Sequence, residues 1–182
     1  MLTFVTVSRC RQIGSNKMIG RIVAALMILA GQALAAERED IDFVTGASLP
    51  PDVWESLTRG NSYAIVSLIN PFYLQGDFDG DGWRDTAVLV KERTSGKRGV
   101  AVVFKGGKVR IVGAGKDAGD GTTDLDWMDA WYVERKGSVA QGATDEAPPE
   151  LKGDGLMVIK TESGSGLIYW DGKRFRFYQQ GD

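Results

Sequence analysis

Three short runs, Leu156-Met-Val-Ile-Lys-Thr161, Gly166-Leu-Ile-Tyr-Trp170 and Arg174-Phe-Arg-Phe-Tyr178, decide the fold. Each is rich in apolar and β-branched or aromatic residues and too short for a helix of typical length. A Ser/Gly turn separates the first two, and Asp171-Gly172 separates the last two. Asp-Gly between alternating apolar residues is a strong hairpin signal, so the carboxyl end predicts a three-stranded meander. The same grammar appears further towards the amino end. Thr86 to Glu92 predicts a strand, Arg93 to Arg98 a polar turn, Gly99 to Phe104 a strand, Lys105 to Lys108 a tight turn around Gly106-Gly107, and Val109 to Val112 a strand.

The two meanders match position by position. At an offset of 66 residues, Phe104-Lys-Gly106 falls on Trp170-Asp-Gly172, and Lys108-Val-Arg-Ile111 falls on Arg174-Phe-Arg-Phe177. A turn shortened by three residues brings Asp85 onto Asp154 and Lys91 onto Lys160. The pattern reads as a degenerate duplication of one meander.

The flanking segments are less regular. Ser48-Leu-Pro-Pro-Asp-Val-Trp-Glu-Ser-Leu57 predicts a short helix, with Ser48 or Asp52 as its cap and Val53, Trp54 and Leu57 as its apolar stripe. Tyr63 to Ile69 predicts a strand stopped by Asn70-Pro71. Tyr132-Val133 tilts Leu125 to Glu134 towards a strand, and Lys136 to Gly155 predicts an exposed connection. The expected fold class is therefore α+β, mainly antiparallel sheet from two related three-stranded meanders, with one short helix near the amino end.

The first 36 residues differ in kind. Lys17 and Arg21 flank Met18, an apolar run follows from Ile22 to Leu34, and small residues Ala33, Ala35 and Ala36 precede Glu37. That order predicts a secretory signal peptide over residues 1–36, cut near Ala35 or Ala36, with Met18 as an alternative start. The run is shorter than the ~20 residues that span a bilayer, so no membrane span is expected after cleavage. Residues 37–182 are expected to form a single globular domain, periplasmic or secreted.

Cys10 is the only cysteine of the 182 residues and falls in the cleaved part, so no disulfide holds the mature chain. Four of the 22 basic residues (Arg9, Arg11, Lys17, Arg21) are lost with the signal, leaving 18 against 24 acidic ones. A net acidic surface does not attract phosphate backbones, so nucleic acid is not expected as a partner.

The chemically informative stretch is Gly76-Asp-Phe-Asp-Gly-Asp-Gly-Trp-Arg-Asp-Thr-Ala-Val-Leu-Val90. Calcium takes six to eight oxygens, and a D-x-D-x-D-G spacing supplies carboxylates from successive turn positions while glycine permits the bend. Asp77, Asp79 and Asp81 fit positions one, three and five, the Trp83 carbonyl fits seven and Asp85 fits nine. Position twelve is Val88, where a helix-loop-helix hand would carry a bidentate Glu. The same residues also describe a solvated acidic turn. Against that, four carboxylates within nine residues repel one another unless a cation neutralises them.

This stretch resembles the FG-GAP (VCBS-type) repeat, in which a D-x-D-x-D-G-x-x-D calcium loop leads directly into an apolar strand. The resemblance covers about 15 residues closely and implies Ca2+ held by the side chains of Asp77, Asp79, Asp81 and Asp85. The second meander carries only Lys152-Gly-Asp154-Gly155 at the equivalent place, departs from the family's loop and is not expected to bind an ion.

The chain contains no histidine, which excludes Ser-His-Asp triads, Cys-His pairs and ordinary zinc sites. Val109-Arg-Ile-Val-Gly113-Ala-Gly115 superficially matches a dinucleotide-binding strand end, but Lys116 to Thr123 cannot form the helix such a site requires, and a glycine turn explains the run. Carboxylate-pair glycan hydrolysis has Asp124, Asp126, Asp129 and Glu134 as candidate acids and Trp127 and Trp131 as a sugar platform. The plainer reading puts those acids in solvent and the tryptophans in the core. Trp83 is the exception, because position seven of such a loop points its side chain outward. The expected function is an exported, non-enzymatic binding module with a structural calcium ion, acting as an inhibitor or adaptor. Its partner would be another exported protein or a glycan. The rival readings are the hydrolase and a purely structural envelope component.

Overall fold

The computed structural model describes residues 45–181; the predicted signal peptide lies outside the described residues. Among these, helix α1 (Pro51–Thr58) is followed by eleven strands in antiparallel pairings. This is the α+β arrangement expected.

The first sheet is a meander of β3 (Asp85–Glu92), β4 (Arg98–Val103) and β5 (Val109–Gly113). Its β3 edge is covered by two short strands in succession: β1 (Tyr63–Ile65) pairs with Val90 to Glu92, and β2 (Tyr73–Gly76) pairs with Asp85 to Val88. The second sheet repeats the plan. Strand β6 (Ala130–Glu134) lies on the outer edge of β9 (Gly155–Lys160), which continues through β10 (Gly164–Trp170) and β11 (Phe175–Gly181). Between β6 and β9 a minimal hairpin joins β7 (Gly137–Ser138) to β8 (Glu150–Leu151).

Strand alternation sorts the side chains into three cores. Ala87, Leu89, Val100 and Val102 of the first sheet meet Leu156, Val158 and Ile168 of the second in one shared cluster. Val88, Val90, Ala101 and Val103 face the other way, onto Val53 and Leu57 of α1. The first sheet is thus covered on both faces, which is why Thr86 to Val90 reads as an unbroken buried run. Behind the second sheet, Met157, Leu167 and Tyr178 pack with Leu151. The sequence-matched pairs Ala87 and Leu156, and Leu89 and Val158, both point into the shared core. The sheets therefore meet through the same face, as in a sandwich.

Four differences from the sequence reading have physical causes. The helix starts at Pro51, with Pro50 at the N-cap position and no side-chain cap bond; Pro51 in its first turn has no N–H to satisfy. The strand expected over Tyr63–Ile69 ends at Ile65, since Val66 and Ile69 both turn into the shared core, a spacing incompatible with strand alternation. Lys136 to Gly155 is tied down rather than free. Leu151 is buried, and the Tyr178 hydroxyl accepts from Gly142 N at 2.9 Å and donates to Glu146 O at 3.2 Å.

The fourth difference is a slip of one residue. The β4–β5 turn closes with Phe104 opposite Lys108, leaving three residues in the loop, whereas Asp171 N bonds Arg174 O across only two. A slip of one flips every following side chain. Val109 accordingly faces the helix, while Phe175, its match in sequence, joins Phe104 and Trp170 in the shared core.

Candidate metal centre

The acidic loop joins β2 to β3 and is held from within. Phe78, only 1% exposed, plugs into the shared core and fixes the loop's first turn. Asp77 Oδ1 accepts from Gly80 N at 2.9 Å and Oδ2 from Gly82 N at 3.1 Å, so the chain curls around that carboxylate. The curl needs left-handed backbone at Gly80 and Gly82, with φ of 80° and 87°. At Gly80 a side chain is excluded for a second reason: a Cβ would stand 2.9 Å from Lys152 O.

That contact belongs to the segment leading into β9. Asp154 N donates to Asp77 O, and Asp77 N donates to Asp154 Oδ2 at 3.1 Å. The loops that introduce the two central strands therefore dock on each other. Gly153 is required there, since its Cβ would lie 2.5 Å from Asp77 O.

One carboxylate oxygen from each of Asp77, Asp79 and Asp85 lies within 4.8 Å of the others, a group that could hold a metal ion. Two oxygens on opposite sides of a calcium ion, each at the usual ~2.3–2.6 Å, would stand about as far apart. The donors are all hard oxygens, as calcium chemistry demands. Asp81 stands outside this trio and accepts from Trp83 N at 2.8 Å. Trp83 is 62% exposed on the rim, with Lys105 Nζ 5.8 Å from its ring centroid.

The electrostatics reflect crowding. Asp85 is 1% exposed, and burial pushes its carboxyl up to about 6, with the like charges of Asp79 and Asp81 adding to the shift. The N–H groups of Lys105 and Phe78, both at 2.9 Å, oppose it. Asp79 is also raised, first by burial and then by its aspartate neighbours.

Two residues of this centre were not legible as functional. Asp154, expected to bind nothing, accepts from Asp77 N and Lys136 N and pairs with Arg135 at 3.0 Å. Its match to Asp85 in sequence was the available signal. Nothing in the sequence marked Arg135.

Three of the four candidate acids for glycan chemistry, Asp124, Asp126 and Asp129 but not Glu134, are engaged elsewhere. Asp124 accepts from Arg98 N and Asp126 N, Asp126 pairs with Arg98 at 2.6 Å, and Asp129 pairs with Lys160 at 3.0 Å. The Thr161 N–H, with Lys160 and the Thr161 hydroxyl, holds Asp129 down at about 2. Trp131 is buried, its Nε1 donating to Pro71 O at 2.7 Å. Gly113 to Gly115 forms a left-handed turn closed by Lys116 N on Gly113 O.

No protein-family model, curated protein or solved structure matches the chain.

Proposed function

We propose that this chain is an exported, non-enzymatic binding module whose acidic loop holds a structural Ca2+ ion, of FG-GAP (VCBS) type. The observation that carries the reading is the convergence of Asp77, Asp79 and Asp85 at a loop that docks on the entrance to the second sheet. A cation there offsets the burial, and the lesser like-charge repulsion, that raise Asp85 and Asp79, and fixes both loops at once. The Trp83 carbonyl and water would supply the remaining oxygens.

A structural ion suits a binding surface better than a reaction centre. Trp83 stands outward beside the loop, as aromatic anchors at interfaces do. Asp129, held ionised and salt-bridged, is a poor general acid for glycan hydrolysis, which requires a raised pKa. The partner is another exported protein or a glycan, and the signal-like order of residues 17–36 supports a periplasmic or secreted site of action.

Terbium luminescence tests the ion directly, because an indole beside a bound lanthanide sensitises it. Excitation of tryptophan should give saturable terbium emission that Ca2+ displaces at lower concentration than Mg2+. Asp79→Ala should abolish it. Emission that survives Asp79→Ala, or that Mg2+ quenches as readily as Ca2+, would remove the calcium assignment.

A further inference from the structure

A cleft of about 270 Å³ opens between the two sheets, away from the acidic loop. Its floor is Leu89, Leu125 and Met128, which are 3%, 2% and 8% exposed and belong to the shared core. Val66 and Trp127 form its walls, and Leu68, 65% exposed, extends the apolar surface beyond the lip. Two ion pairs stand at the mouth, Arg98 with Asp126 at 2.6 Å and Lys160 with Asp129 at 3.0 Å. A cleft with an apolar floor and convergent polar groups at its mouth is a common form of small-ligand site, and this one falls just below the ~300–1,000 Å³ of drug-sized pockets.

The mouth has donors to spare and few acceptors. Asp129 Oδ1 accepts from Thr161 N and Oγ1, both at 2.8 Å, and its Oδ2 accepts from Lys160. A guanidinium carries five N–H donors and an ammonium three. Arg98 and Lys160 each direct one nitrogen at an aspartate, so both keep N–H groups for a ligand. The two cations and two carboxylates balance, so a head group is selected by directed hydrogen bonds rather than by long-range attraction.

We propose that this cleft binds a compact apolar carboxylate, its hydrocarbon body on Leu89, Leu125 and Met128 and its carboxylate at Arg98 and Lys160. An amide head group keeps an acceptor but loses the charge and binds more weakly. An ammonium finds as acceptors only carboxylates already paired with Arg98 and Lys160, and binds most weakly.

The test is titration of the full chain with octanoate, octanamide and octylamine in a chelator-containing buffer, read by the Trp127 indole resonance and by calorimetry. The chelator separates this site from the calcium reading. Octanoate should bind saturably and shift Trp127, with octanamide weaker and octylamine weakest. Arg98→Gln and Lys160→Gln should each weaken octanoate about tenfold, the loss expected for one charge-assisted hydrogen bond. Both side chains are partly exposed, and circular dichroism should be unchanged. Octylamine binding as tightly as octanoate, no shift at Trp127, or unchanged affinity in both variants would each overturn the proposal.

Discussion

Asp85 and Asp154 stand at equivalent entrances to the two sheets and solve the same problem differently. Each is buried, and each carboxylate accepts from two backbone N–H groups. Beside Asp154 the chain supplies its own cation, Arg135. Beside Asp85 it supplies more carboxylates, Asp77 and Asp79. A buried acid at a strand entrance is tolerated when something positive faces it. A guanidinium fills that role in one half, and the proposed calcium ion fills it in the other.

The largest effect expected is at the plug that anchors the acidic loop. Phe78→Ala removes a fully buried ring and should cost about 3–5 kcal/mol in urea unfolding. A loss near zero would mean that the loop is not anchored by the core.

Next come the paired aspartates. In chelator, Asp85→Ala strands the buried Phe78 N–H, while the exposed Lys105 N–H turns to water, and should cost about 1–3 kcal/mol. Asp154→Ala should cost less, because, of the groups it leaves without a partner, Lys136 and Arg135 are exposed and the Asp77 N–H is only half-buried. A larger loss at Asp154 would reverse the comparison. Arg135→Gln breaks a pair whose arginine is 76% exposed and should cost below about 1 kcal/mol, leaving any calcium response intact.

The smallest effect is the acid-side pH dependence contributed by the second half. Asp129, at about 2, and Asp171, held low by the Arg174 N–H and by Arg176, titrate below the ordinary ~3.9 of an unfolded aspartate. Their contribution is fully present above pH ~4 and is lost as pH falls towards 2, since the unfolded chain then binds more protons. Asp129→Asn should flatten the acid limb of a pH-melting profile measured in chelator. An unchanged limb would show that these surface carboxylates are not linked to folding.

The meanders were legible because turn chemistry and apolar runs are local signals, and Asp171-Gly172 is among the clearest in the chain. The split edge of the first sheet was not, since β2 is only four residues long and is recruited by β3 rather than by its own propensity. The flipped face of β5 was hidden because sequence alignment does not count the residues of a turn as the ladder does. At the candidate metal centre, the spacing placed Asp77, Asp79 and Asp85 near one another. It could not show that Asp81 would turn to the Trp83 N–H, nor that Asp154, 77 residues away from Asp77, would bond it.

The most direct measurement is the melting temperature of the wild-type chain with excess calcium and with chelator. Extracellular calcium modules bind at about 10⁻⁴ to 10⁻³ M, and at 100 times the dissociation constant the native state gains roughly 2.7 kcal/mol. At ~2–4 °C per kcal/mol for domains of about this size, calcium should raise the midpoint by several degrees, and magnesium by less. Asp79→Ala should erase the shift, whereas Asp81→Ala, outside the trio, and Arg135→Gln should keep most of it. Coincident melting curves in calcium and chelator would contradict the calcium assignment and leave the loop an ordinary acidic turn.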